Sequence, residues 1–230
     1  MPHGLRRTLT KQSAMYQCFD GRKMNWPLLL GVIAFVVTID HGSRALADQA
    51  PAPGTVTCAD AFGRESSHSK IVSTFGAAHV ASQEIEGAEG ITMLGTVIYP
   101  NDPRRRLEVL WIDKDMQRRP GAIWISKESQ WTGWRGVRIG MTLEDVEALN
   151  GKPFKLRNFD GDYGGTVTDW NGGAMEHIPG GCRVSLRFEP AKDTSPETYD
   201  ALEAPQVLSS NRKMRATHST VRQIFTTYAK

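Results

Sequence analysis

The apolar patterning of the chain predicts an α+β fold in which short helices pack on antiparallel sheet. Short runs rich in β-branched and aromatic residues alternate with Pro, Gly and Asn turns. Two segments carry helical spacing, and each is too short to stand alone in water. Each must therefore lay its apolar face on a sheet. The order of a helix followed by strands occurs twice. Both a tandem pseudo-repeat and a single α+β domain with two look-alike helices fit that order.

The elements follow in turn from the N-terminus. Arg22 and Lys23 precede an apolar run from Leu28 to Ile39, and Ala45-Leu46-Ala47 follows it. A basic flank, a short apolar core and an A-x-A site predict a secretory signal over 1–47, cleaved near Ala47. A membrane-spanning helix needs about 20 apolar residues, and Asp40 and His41 end this run sooner. The expected location is periplasmic or secreted, with no stable membrane insertion after cleavage.

Export changes the charge balance. The chain has 28 Lys and Arg and 25 Asp and Glu. Residues 1–47 take six of the basic and two of the acidic ones, leaving 22 against 23, a net of −1. The basic character belongs to the signal, so nucleic acid is not an expected partner. Cys18 leaves with the signal as well. Cys58 and Cys182 remain, and an oxidising compartment predicts a disulfide between them. It closes most of the mature chain into one loop, worth on the order of 4–5 kcal/mol in the chain-entropy model.

Residues 48–57 read as a Pro- and Ala-rich linker, with order starting near Cys58. The first half, 58–135, begins with a helix carrying Ile71, Val72 and Phe75, capped by Ser69 and ended by Gly76. Strands are predicted at 91–99, 107–112 and 122–126. The second half, 136–230, begins with a helix carrying Leu143, Val146 and Leu149. Thr142 and Asp145 stand close to a capping box, and Asn150-Gly151 is the stop. Strands are predicted at 165–170, 174–178 and 182–188, with Asn171-Gly172 as a hairpin turn. Residues 189–213 read as a long polar surface loop, and 220–228 as a last strand.

The run Gly140-Met141-Thr142-Leu143-Glu144-Asp145-Val146-Glu147-Ala148-Leu149-Asn150-Gly151-Lys152-Pro153-Phe154 resembles the G-M-T-x-x-E-V-x-x-L-x-G-x-P element of small exported bacterial domains. These include the outer-membrane assembly lipoproteins of the SmpA/BamE type and the tandem-repeat β-lactamase inhibitor proteins. Residues 58–190, with Asn150 to Phe154 and Asp162-Tyr163-Gly164-Gly165 as landmarks, also look like a group of uncharacterised exported bacterial proteins. The resemblance implies a short helix on antiparallel sheet. It carries over no functional residue, and the chain has no lipobox.

Candidate chemistry is sparse. Trp131 and Trp134 in Trp-Thr-Gly-Trp are the candidate ligand-binding pair, since exposed indoles stack on sugar rings; against that stands the frequency of core tryptophans. Asn158, Asp160 and Asp162 are spaced to aim three oxygens at a cation. Yet Tyr163 and Asp169 replace the glycine and glutamate of a calcium loop. Arg104-Arg105-Arg106 can grip an anion or solvate a turn. His68, His79, His177 and His218 have no metal-binding spacing, and no G-x-S-x-G, H-E-x-x-H or nucleotide-binding loop is present. No cofactor or metal is expected. The sequence therefore favours a non-catalytic envelope interaction or structural module whose partner is another cell-envelope protein. The alternative is a glycan or small-ligand binder using Trp131 and Trp134. A third reading is a hydrolase whose site, including Ser209-Ser210, forms only in space.

Overall fold

In the computed structural model, residues 53–87, 90–126, 128–200 and 202–228 are described. The predicted signal over 1–47 and the first half of the linker, 48–52, lie outside them. Nine strands and four short helices are found among the described residues, all strand pairs being antiparallel, which is the α+β class. The strands are β1 (Val80–Glu86), β2 (Thr92–Ile98), β3 (Leu107–Asp113), β4 (Arg118–Ser126), β5 (Lys155–Arg157), β6 (Val167–Asp169), β7 (Cys182–Glu189), β8 (Gln206–Leu208) and β9 (Thr220–Tyr228). The helices are α1 (His68–Phe75), α2 (Leu143–Asn150), α3 (Pro196–Asp200) and α4 (Arg212–Arg215). A six-stranded sheet has the order β1-β2-β3-β4-β9-β7, and a three-stranded sheet the order β6-β5-β8.

Alternation along the strands divides the large sheet into two faces. Thr96 pairs with Val109, Val109 with Ile123, Ile123 with Thr226 and Thr226 with Val184. These residues form one buried row of the inner face. Trp111, Ile125, Leu186 and Ile224 share that face. Ile71 of α1, Leu143 and Val146 of α2, Phe154, and Leu156, Val167 and Val207 of the small sheet join them in one core. The opposite row runs Glu108, Trp124, Phe225, Ser185, and Trp124 and Phe225 are half-buried and stand outside that core.

The two helices differ in how well their starts were foreseen. α2 has the full capping box: Thr142 Oγ1 accepts from the Asp145 N–H at 3.2 Å, and Asp145 Oδ2 accepts from the Thr142 N–H at 3.0 Å. Gly151 ends α2 at φ 80°, in the left-handed region that glycine enters without strain. In α1 the cap is Ser67, which accepts from the Lys70 N–H at 3.2 Å, and not Ser69. Ser67 wins because His68 is anchored from outside, its N–H donating to the Gln117 carbonyl at 2.9 Å.

Four further expectations are corrected. Order begins before Cys58: Val56 is buried, and its N–H donates to the Thr132 carbonyl at 2.8 Å. β1 was missed because Ile85 is the only fully buried residue of its seven. The loop 189–213 contains α3, β8 and the start of α4. Val207 turns inward between exposed Gln206 and Leu208, so a single buried side chain anchors that strand. Residues 174–176 form a turn and 177–178 are irregular. Asn171 and Gly172 do adopt positive φ, 57° and 64°, but no returning strand follows. The buried Asn150 side chain captures the segment instead, its Oδ1 accepting from Met175 N–H at 3.1 Å while its amide donates to the Trp170 carbonyl at 3.0 Å. A Cβ at Gly173 would collide with that amide.

The two helix-then-strands segments also build different sheet. β1 to β4 form a continuous meander, whereas the later strands divide, β5, β6 and β8 forming the small sheet and β7 and β9 extending the large one.

Candidate binding site

The Cys58–Cys182 disulfide is present, with Cα atoms 5.8 Å apart. It ties the entering chain to β7 beside buried Tyr228. Burial pushes the Tyr228 phenol up to about 12, and its hydroxyl donates to the Phe62 carbonyl. Phe62 sits in a tight turn, Asp60–Phe62, which this bond and the disulfide hold in place.

Phe62 meets two aromatic side chains from distant segments. Trp131 lies 5.8 Å from Phe62 at 86° and 5.9 Å from Phe75 at 76°, both edge-to-face contacts. Phe75 comes from the last turn of α1. Trp131 is buried, and its indole N–H donates to the Arg105 carbonyl at 2.7 Å. Tyr99, directly after β2, completes the wall. Its ring carries the Arg105 guanidinium at 4.4 Å and the His79 ring at 5.0 Å. Hydrogen bonding from Arg105 to Asp102, at 2.6 Å, holds that carboxyl below its ordinary range.

Between these walls lies a mainly apolar groove of about 300 Å³, edged by Thr55, Asp60 and Thr74. That is the lower end of the range for small-molecule sites. Two of its residues have positive φ. Tyr99 has φ 51°, a region costing a bulky residue on the order of 1–3 kcal/mol, and Asp60 has φ 52°, which aspartate enters more readily. The rest of the structure holds both in place, Tyr99 through its N–H to the His79 carbonyl at 2.7 Å.

The predicted tryptophan pair is split. Trp131 forms a wall of the groove, while Trp134 is half-buried and turns its indole N–H to the Ala174 carbonyl at 3.4 Å. Trp131 is only 3 % exposed, so the two indoles do not share an exposed surface. The other candidates are occupied by local contacts. Arg105 pairs with Asp102 and Arg106 with Glu108. Asn158 donates to Asp160 at 2.8 Å and to the Leu202 carbonyl at 3.2 Å. Among the described residues no group of three or more His, Cys, Asp and Glu can hold a metal ion. Ser209 is fully buried and gives its hydroxyl to Glu147 at 2.5 Å, and Arg215 joins Glu147 and Glu144. His177 and His218 are exposed. Sequence reading had Phe75 as a helix apolar residue, but no sequence spacing signals that it would meet Phe62, Tyr99 and Trp131.

Compared with family models, with curated proteins and with solved structures, the chain matches none.

Proposed function

We propose that this chain is an exported, non-catalytic binding module of the cell envelope, which holds an apolar group of a partner or small ligand in the aromatic groove. The observation that carries this reading is the convergence of Phe62, Phe75, Tyr99 and Trp131 on one cavity, with backbone strain stored at Tyr99. Strain of that kind gathers where a binding surface is preformed. Disulfide formation at Cys58–Cys182 accords with an oxidising compartment. The shared helix-then-strands order supports a tandem pseudo-repeat as the origin of the two halves, Val72 and Phe75 being spaced as Val146 and Leu149.

The test is an amide-shift titration of the protein of residues 48–230 with indole and benzyl alcohol. At about 5 mM, ligands of this size reach measurable occupancy. Shifts confined to the amides of Thr55, Phe62, Phe75, Tyr99 and Trp131 are expected. Shifts elsewhere, or none, would sink the reading.

A second reading, direct docking of a partner protein, is favoured by one patch. Ile91, Leu94, Ile112 and Met116 are 58, 51, 41 and 64 % exposed. They lie toward the ends of the β1–β2 and β3–β4 hairpins, which point the same way along the sheet.

A further inference from the structure

A second site lies on the opposite face of the large sheet, and it does not depend on the groove. Register places Glu108 opposite Trp124, Trp124 opposite Phe225, and Ser126 opposite Gln223. The register shift between Arg187 and Phe188 of β7 lets consecutive residues Arg222 and Gln223 of β9 both avoid the core, between buried Val221 and Ile224. The result is a cleft of about 600 Å³, lined by Arg106, Glu108, Trp124, Glu189, Arg222 and Gln223 among others.

Trp124 differs from the other described tryptophans. The indole N–H groups of Trp111, Trp131, Trp134 and Trp170 all donate to protein oxygens. The Trp124 N–H has no partner among the described residues, and it is not a buried orphan. A half-buried indole with a free, solvent-reachable N–H is a flat apolar plate with one donor to offer. Phe225 props it edge-on at 5.9 Å and 90°.

Planar polar groups surround this plate. Arg106 Nε holds Glu108 Oε1 at 2.8 Å and also donates from Nη1 to the Pro100 carbonyl at 3.2 Å. The Glu108 side chain is only 13 % exposed, so it is preset, and its second oxygen is left to accept. Arg222 and Glu189 pair at 3.3 Å at the outer rim. The cleft also touches Glu84 and Glu86, so acidic groups outnumber the two arginines and an anionic ligand is disfavoured. Its polar lining likewise disfavours a purely greasy one.

We propose that this cleft binds a saccharide, neutral or amine-bearing. A pyranose presents an apolar C–H face and a rim of hydroxyls. The C–H face stacks on Trp124, a hydroxyl accepts from the indole N–H, and Glu108, Gln223 and Arg222 bond the rim. The sequence pointed to sugar stacking at Trp131 and Trp134, and the structure assigns the plate to Trp124.

The test is calorimetric titration of the protein of residues 48–230 with cellotetraose, maltotetraose, tetra-N-acetylchitotetraose, chitosan tetraose and, as the anionic comparison, tetragalacturonate. At least one of the four neutral or amine-bearing probes is expected to bind with a micromolar to millimolar Kd. Trp124→Ala should weaken it at least tenfold and Glu108→Gln several-fold. Trp124→Phe, which keeps a plate and the packing on Phe225 but removes the donor, should fall between. No binding of any of the four at 10 mM, stronger binding of tetragalacturonate, or affinity unchanged in both folded Trp124 variants would overturn the proposal. None of these results bears on the groove, whose own titration reads different amides.

Discussion

On the helix-covered face of the large sheet, Trp111 of β3 is buried and donates its indole N–H to Thr96 Oγ1 at 3.0 Å. On the opposite face, Trp124 of the neighbouring strand is half-buried and donates to no described residue. The two indoles sit on adjacent strands with similar β propensity, yet one is a structural member and the other is available. The inner face is dry, so every polar atom must be paired there or cost about 1–3 kcal/mol. Ile85 and Val97 of the outer face are buried too, but around Trp124 water relieves that demand, and an unpaired donor can persist. Stability should therefore concentrate on the inner face, and ligand chemistry on the outer face and in the groove at the sheet's end.

The largest effect should come from the inner layer. Phe154 is fully buried, 5.3 Å from Trp170 and 5.7 Å from Phe188. It links the end of α2 to both sheets. Phe154→Ala should cost about 3–5 kcal/mol in denaturant unfolding. A loss below about 1 kcal/mol would break the contrast between the faces. Next comes the disulfide. Cys58→Ser should cost about 2–5 kcal/mol, and full reduction of the parent protein should lower its melting temperature about as far as the substitution does. An unchanged melting temperature under full reduction would show that the bridge constrains little.

The parts of this arrangement that were legible in the sequence are those written locally. The capping box of α2, its glycine stop and the last strand at 220–228 each depend on residues within a few positions of one another. The cysteine pair was legible from its count, once export was expected. β1 and β8 were not, because each has only one strongly buried apolar side chain. The turn at Asn171-Gly172 was read correctly as turn chemistry, but the strand after it lost to Asn150, a partner 25 residues from Met175. The groove was illegible for a similar reason, since Phe62, Phe75, Tyr99 and Trp131 come from four separate segments. Trp124 was closer to legible. In Ala122-Ile123-Trp124-Ile125-Ser126 the two isoleucines take the core, so alternation alone sends Trp124 to the other face.

A paired substitution tests the contrast more directly. Trp111→Phe removes the donor to buried Thr96 and leaves a gap beside it, so a loss of about 1–3 kcal/mol is expected. Trp124→Phe should stay within about 0.5 kcal/mol, as for a surface change away from such features. Equal costs at the two positions would mean that the faces do not differ as described.

The smallest effect concerns the far end of the Trp111–Thr96 chain. His68 Nδ1 lies 2.8 Å from Thr96 Oγ1. Burial lowers the His68 pKa below its ordinary 6.5, so the neutral ring is the folded form. Its place at the start of α1, at the positive end of the helix, acts in the same direction. The neutral ring accepts the Thr96 hydroxyl while that oxygen accepts from Trp111, and all three groups are satisfied. Just below pH 6.5 the unfolded chain then binds more protons at this residue than the folded one. His68 stabilises fully above that pH and loses its contribution as the pH falls. The urea midpoint of the wild type should therefore drop between pH 7.5 and 5.5, and in His68→Gln it should drop less. Identical pH dependence in the two proteins would show that the chain from Trp111 to His68 is not closed in solution.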